Sequence, residues 1–493
     1  MTLSTSVAMT GNTHQELLDH LLRDDGQEDL CMAIYQPSTG RDRRSAVLGR
    51  VLFPLPGERT VHGNVTFTGD YVLRAAEAAA ATGGGVVVLH SHPGARRWQA
   101  MSSPDRDAES SYANLAREIT GLPLVGMTLA GADRSWSARH WNLGTGQHVQ
   151  PTHCDNVRVI GPTVDVSWND DVVAVPATTG TTRRTISCWG PETQADLTRR
   201  RILVVGAGSV GLDIAIRLAA SGATRITVMD FDTVEAHNLD RLIGATAHDV
   251  ALRRTKIHVA AREMGRNATA VTPRFEMSDL SICEPDGLAL ALDHDLIFSC
   301  VDRPWPRAVL NTIAFSDLIP IIDGGVAIDT MPTGDLRNAT WRSHVVRPGR
   351  PCLVCSHQLN PARVALDADG LLDDPTYISQ AGGADGDDRG QNVTMVAMNA
   401  AASMLAQYVS AAVGPAGFGD PGPLQYLLGT HELLHLGHQT SPHCPFEAAL
   451  GAGDQRTNLT GCHPRAELER HRQGDVSLRL RLRRWLYDRR TAL

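Results

Sequence analysis

The stretch RRRILVVGAGSVGLDIAIRLAASGATRITVMDFD, residues 199–232, decides the fold of the larger part of this 493-residue chain. It reads as a strand, a glycine turn, a helix stopped at Gly222 and a second strand. Gly206 permits the tight turn, Gly208 lets a phosphate approach the backbone, and Gly211 allows close strand–helix packing. The helix N-terminus supplies donors for anionic oxygens. Asp230 ends the next strand, where a carboxylate can bind ribose hydroxyls. Strands and helices alternate to about residue 330, which predicts an α/β unit with a parallel sheet. Taken alone, the glycine turn favours a dehydrogenase.

The residues that follow change that reading. Asp232 lies two positions on, followed by Asn238-Leu239-Asp240-Arg241, Lys256, and Asp302 at the end of DLIFSCV. A dehydrogenase does not require this order, whereas an adenylating enzyme does. Arg241 and Lys256 would neutralise a triphosphate, and Asp302 would hold magnesium. Lys256 is the only lysine among 46 basic residues. GC-rich coding accounts for the general replacement of lysine by arginine. Survival of a lysine here points to a site shaped for a compact ammonium rather than a planar fork.

The run GAGSVG, DFD, NLDR, Lys256 and CVD resembles the ThiF/MoeB and ubiquitin-activating enzyme superfamily over about 180–440. The resemblance implies a Rossmann-like adenylation domain that binds ATP and Mg2+. It also implies a ubiquitin-like or sulfur-carrier β-grasp partner and a homodimer through this domain. RRTISCWGPETQADLTRRR resembles the family's N-terminal segment, whose arginine reaches ATP, often across a dimer; here that is Arg183 or Arg184. Arg307 and Asn311 match residues that follow the magnesium aspartate.

A separate α/β domain is expected over 1–145. Residues 13–24 read as an amphipathic helix, 29–36 as a strand and 70–81 as an alanine-rich helix broken at Gly83–Gly85. Val86–Leu89 reads as a buried strand running into His90-Ser91-His92-Pro93, with a helix at 105–119 and a strand at 123–131. The strand period of two puts His90 and His92 on one face. Asp105 would complete a three-ligand site with a fourth position open, the catalytic form of zinc. Glu28, just before the strand at 29–36, is the best candidate proton acceptor; Glu16 and Glu58 compete on position alone. Asp105 also fits a first-turn acid, with Ser103-Pro104 as cap and first turn. The set Glu28, His90, His92, Ser102 and Asp105 resembles the JAB/MPN (JAMM) metallopeptidase family. That resemblance implies a cytidine-deaminase-like α/β fold and cleavage of a peptide or isopeptide bond after a ubiquitin-like C-terminus. Ser102 would then bond the oxyanion and Glu28 would shuttle the proton.

Cys352 and Cys355 form a Cys-x-x-Cys, and a structural zinc needs two further ligands. Cys444 and Cys462 are the available partners. Residues 356–391, where relatives carry a thioester cysteine, contain none. The chain is therefore expected to adenylate and to hand the acyl adenylate on. Residues 146–180 read as a linker with some strand content, and 367–390 as a mobile acidic, glycine-rich loop. A long helix is expected at 392–413. The tail, 441–493, is rich in His, Cys and Arg, and its SLRLRLRRWLYDRR reads as an edge strand or a basic surface stretch.

A net charge of −8 argues against bulk nucleic-acid or anionic-membrane binding. No apolar run of spanning length and no signal-peptide pattern is evident. Nine cysteines fit a reduced, cytoplasmic setting. The combined expectation is a bifunctional enzyme. It would process or deconjugate a ubiquitin-like protein by zinc hydrolysis and adenylate that protein's C-terminal glycine, with a conjugating enzyme downstream. The alternatives are sulfur-carrier chemistry and a non-catalytic scaffold.

Overall fold

The computed structural model describes residues 3–62, 64–144, 148–373, 392–475 and 477–491. The 374–390 part of the expected mobile loop lies outside the described residues. Two large sheets organise the chain.

The first sheet has nine strands. Its centre runs Ser4–Thr10, Arg43–Leu52, Leu30–Thr39, Gly85–His92, Leu124–Ala130 and Ser135–Leu143. Helix Gly11–Leu21 covers one face with Leu17, Leu18 and Leu21. Helices Gly69–Ala80 and Ser103–Thr120 cover the other, with Tyr71, Ala75 and Ala113 buried against Met32, Val86 and Val88. Each helix begins one or two residues ahead of the stretch that its periodicity marks. Thr10, Thr68 and Ser102 accept backbone N–H groups at the three N-caps.

The expectation of a linker at 146–180 is corrected. Val149–His153, Asn156–Ile160 and Val164–Trp168 are strands of this same sheet. The Cys154 N–H donates to Ala138 O on one side, and the Asp155 N–H to Thr5 O on the other. Successive residues thus bond opposite ends of the sheet, which curls until its ends meet. The polar composition that suggested a linker belongs to edge strands, half-exposed at Val149–His153 and Val164–Trp168.

The second sheet has eight strands. Arg274–Ser278, Arg225–Met229, Arg201–Val205, Leu296–Ser299 and Ile321–Thr330 lie parallel. Leu336–Val346, Leu424–Leu427 and Glu432–His435 continue it antiparallel. Order reverses around Arg201–Val205, between Arg225–Met229 and Leu296–Ser299. That is a topological switch point, where doubly wound sheets open a crevice at their carboxyl ends. Helix Thr394–Val413 is apolar and long enough to cross a membrane. Here Ala397, Ala400, Ala401 and Met404 bury one side of it in the core with Ile214 and Ile322.

The two sheets share a core: Ala8, Val47, Ile160 and Val164 pack in one cluster with Ile202, Val204 and Phe298. Buried Asp295 joins them. It accepts from Arg43 Nη1 at 2.6 Å and from the Arg201 N–H at 2.9 Å, with Arg158 3.8 Å away. Burial alone would raise its carboxyl pKa, but the three arginines hold it well below the usual carboxylate range.

The tail also departs from expectation. Pro464–Gly474 and Leu478–Thr491 are helices that return to the second sheet. Alternating Leu and Arg suggested a strand, but both are good helix formers and neither is β-branched. Arg484 donates to Leu252 O and Arg253 O, capping the turn before Lys256.

Candidate functional site: a nucleotide cradle and two ligand clusters

At the switch point, strand Arg201–Val205 enters the glycine turn and helix Ser209–Ala220 leaves it. The three glycines differ in what surrounds them. Gly206 has φ +93°, and a Cβ there would lie 2.6 Å from Cys300 O. A Cβ on Gly211 would lie 1.9 Å from Gly206 O. A Cβ on Gly208 would meet nothing within 4 Å. The outer two are fixed by packing, and the middle one faces open space at a helix N-terminus.

Asp230 closes one side of this space. Its Oδ2 accepts the Ala207 N–H at 2.7 Å and its Oδ1 accepts the Asp232 N–H at 2.8 Å. Lys256 begins helix Lys256–Asn267, which Thr255 caps. Its Nζ lies 2.7 Å from Asp232 Oδ2. Burial pushes the ammonium pKa down, but Asp230 and Asp232 outweigh it and keep the group charged. Burial also raises the Asp230 carboxyl, against the pull of Lys256. For Asp232, Lys256 and Arg465 overcome burial and hold the carboxyl down. The site is therefore a largely covered ammonium paired with Asp232, which Asp230 ties to the glycine turn.

The other expected residues are arranged around it. Asp302 is exposed beyond the end of strand Leu296–Ser299, and its charge reaches Lys256. Asn238 is buried, and its Oδ1 accepts the Glu235 N–H at 3.0 Å. Arg241 donates to His237 O and to Asp240 Oδ1, so it is engaged with its own turn. Arg183 and Arg184 are exposed at the start of helix Arg183–Arg199. Among the described residues no hydrogen bond joins either to the glycine turn. Arg307 is turned away into the core, where it pairs with Asp323, and Asn311 accepts the Leu353 N–H.

In the first sheet, His90 and His92 meet with their Nε2 atoms 3.2 Å apart. Asp105 Oδ1 is 3.6 Å from His90 Nε2, and Asp105 Oδ2 is 3.9 Å from His92 Nε2. Glu28 Oε1 is 4.0 Å from His92 Nε2. Ser91, between the histidines, points the other way and donates to Leu21 O. Glu16 and Glu58 are placed elsewhere; Glu58 pairs with Arg74. Asp105 stands beside both imidazoles and also caps its own helix. Its Oδ2 accepts the Ser102 N–H while Ser102 Oγ accepts the Asp105 N–H, a capping box. The cap is thus Ser102, one residue earlier than expected. Burial raises the Asp105 carboxyl, yet His90 and Ser102 hold it far below its ordinary range. Two imidazoles and an ionised carboxylate converging on one point are a donor set that suits zinc.

Cys352, Cys355 and Cys444 form the second cluster. Cys352 Sγ and Cys444 Sγ are 3.5 Å apart, and the Ser441 N–H donates to Cys355 Sγ. Burial pushes the Cys352 thiol up to about 12. The expected fourth ligand is corrected: Cys462 is exposed and lies outside the cluster, bonded to Glu467. The chain has left the cluster by then, since the Gly461 N–H donates to Cys283 O and His463 stacks on Trp305.

The sequence reading overlooked the tail at the nucleotide site. Arg465 Nη2 lies 3.2 Å from Asp232 Oδ1, with its guanidinium over the Phe231 ring. The only sequence signal was the tail's arginine content, which does not say where the tail packs.

The ThiF family model matches residues 182–416. The adenylyltransferase and sulfurtransferase UBA4 of Yarrowia lipolytica is 31% identical over 184 residues, covering 37% of this chain and 42% of that protein. The molybdopterin-synthase adenylyltransferase of Escherichia coli is 29% identical over 170 residues, covering 34% and 62%. The sulfur carrier protein adenylyltransferase of Thermus thermophilus is 31% identical over 153 residues, covering 29% and 54%. The chain thus spans between 42% and 62% of the length of these relatives.

Proposed function

We propose, on the premise that residues 182–416 are a ThiF-type adenylation domain, that this chain activates the C-terminal carboxylate of a small β-grasp protein with ATP. The observation that carries this reading is that Asp230 bonds both the glycine turn, at the Ala207 N–H, and Asp232, which holds the Lys256 ammonium. In the reaction the carboxylate attacks the α-phosphorus. An acyl–phosphate bond forms, the bond to the β-phosphate's bridging oxygen breaks, and pyrophosphate leaves. Lys256 and Arg241 bind the polyphosphate, the first-turn N–H groups of Ser209–Ala220 receive phosphate oxygens, and Asp230 receives the ribose. Asp302 would hold Mg2+, which when bound supplies charge neutralisation. Arg183 or Arg184 acts across a homodimer in this reading, which their exposure suits.

The names of the relatives favour a sulfur-carrier partner over a conjugated modifier. The lack of a cysteine at 356–391 favours it too, since adenylation without a thioester suffices for it. Ubiquitin-like conjugation, with a separate conjugating enzyme, is the competing reading. A cytoplasmic setting with reduced thiols belongs to the same proposal.

The second activity proposed is hydrolysis of a peptide or isopeptide bond following the partner's C-terminal glycine. The cluster of His90, His92 and Asp105 beside Glu28 supports it. These three would hold zinc, which when bound supplies a Lewis acid. Glu28 moves the proton, and the Ser102 hydroxyl, whose oxygen accepts the Asp105 N–H, donates its proton to the oxyanion. Cys352, Cys355 and Cys444 would hold a structural zinc.

ATP–pyrophosphate exchange tests the adenylation reading. The chain is incubated with ATP, Mg2+ and β-grasp proteins ending in glycine. Exchange that depends on the carrier is expected, and no exchange with any candidate overturns the reading.

A further inference from the structure

Beyond its ThiF-type core, the chain lays a C-terminal arm over the carboxyl ends of the second sheet. Trp305 Nε1 donates to Leu459 O at 2.7 Å, and the His463 ring stacks on Trp305 at 5.3 Å. Arg470 forks onto both oxygens of Glu284. Gln473 Nε2 reaches Phe231 O, and Arg484 holds the turn ahead of Lys256. These anchors lie on both sides of Asp232 and fix where the first turn of helix Pro464–Gly474 sits.

That turn delivers Arg465 to the nucleotide cradle. Asp232 is shared: its Oδ2 takes Lys256 at 2.7 Å and its Oδ1 takes Arg465 at 3.2 Å. Asp230 and Asp302 are also within electrostatic reach of Arg465. An exposed ion pair contributes little to stability, and Arg465 is half-exposed. A guanidinium offers five donors in a fork that matches phosphate oxygens, and one of them bonds Asp232 here.

We propose that Arg465, carried by the anchored C-terminal arm, is a further ligand for the polyphosphate of the bound nucleotide, acting beside Lys256. The proposal rests on the adenylation reading of this site. Arrival of the polyphosphate moves the guanidinium from Asp232 to phosphate oxygens and leaves Asp232 to Lys256. Arg465 thereby makes nucleotide binding depend on the docked arm.

Titration calorimetry of the full chain with ATP·Mg2+ and, separately, with adenosine tests this. Arg465→Ala is expected to weaken ATP binding about tenfold and to leave adenosine binding unchanged. Arg465→Lys should recover part of the loss, since it restores charge without the fork. An Arg465→Ala chain that binds ATP as tightly as the wild type, or more tightly, overturns the proposal. So does an equal loss for ATP and adenosine, which marks Arg465 as merely positioning the arm. A wild-type chain that binds no ATP overturns the nucleotide-site reading itself, and this proposal with it.

Discussion

Adding one methyl group to each glycine of the turn should separate folding from binding. At Gly211 a Cβ would sit 1.9 Å from Gly206 O and 3.1 Å from Cys300 Cβ. The first neighbour is backbone and cannot rotate away. Overpacking of this kind costs about 3 kcal/mol at the upper end of its range. Alanine inside a helix returns about 1 kcal/mol over glycine. Gly211→Ala should therefore lose about 2 kcal/mol. At Gly206 a positive φ adds strain to the approach of Cys300 O, so its alanine variant should fare no better. Gly208 is the contrast, with φ −75° and nothing within 4 Å of a Cβ. Loss of a helix-cap preference and reduced unfolded-state freedom oppose each other there, leaving stability within about 0.5 kcal/mol. The new methyl does, however, stand where a phosphate must approach, so ATP affinity should fall by at least about tenfold. Urea unfolding midpoints and calorimetric titration with ATP·Mg2+ read the two effects independently. A Gly208→Ala chain with unchanged ATP affinity would refute the assignment of that open face to phosphate. Unchanged stability in Gly211→Ala would refute the packing argument.

Glu28→Gln should abolish cleavage of a carrier extended beyond its terminal glycine while leaving zinc content, by atomic absorption, unchanged; retained cleavage shows that another group moves the proton. Cys444→Ser should lower zinc content, whereas Cys462→Ser should not; loss of zinc in both variants would restore the four-cysteine site that the sequence suggested. Stability should fall as pH drops below about 6.5. Burial holds His294 and His344 down to about 3 and His140 to about 4. Between those values and the ordinary histidine range the unfolded chain binds protons that the folded chain refuses, so stability is full above the range and drains as pH falls through it. His294→Gln should flatten the denaturation-versus-pH slope by about 1.4 kcal/mol per pH unit; an unchanged slope would mean that His294 protonates in the fold.

Much of the fold is legible in local spacing. The glycine turn, Asp230 and the strand–helix alternation are local features of the backbone, and the structure contains them where the spacing puts them. His90 and His92 share a face because a strand has a period of two. The helix start beside Asp105 was legible to within one residue, with Ser102 rather than Ser103 as its cap. The segment at 149–168 was misread because its composition is that of edge strands. What makes it structure is pairing with the preceding strand Ser135–Leu143 and, above all, with Ser4–Thr10, a partner distant in sequence.

By itself, then, the sequence determined the glycine turn, the histidine pair and the place of the lone lysine, all of them set by local geometry. Only the tertiary structure decided that Cys444 rather than Cys462 joins Cys352 and Cys355, that Arg307 serves the core, and that Arg465 meets Asp232. Those pairings close over 92, 16 and 233 residues. The first and last join segments whose relative paths no local period encodes, and the second forms because helix Pro304–Ser316 is buried on all sides and Arg307 must find a partner inside. They form because buried apolar packing fixes where each element rests, and the polar contacts follow from that placement.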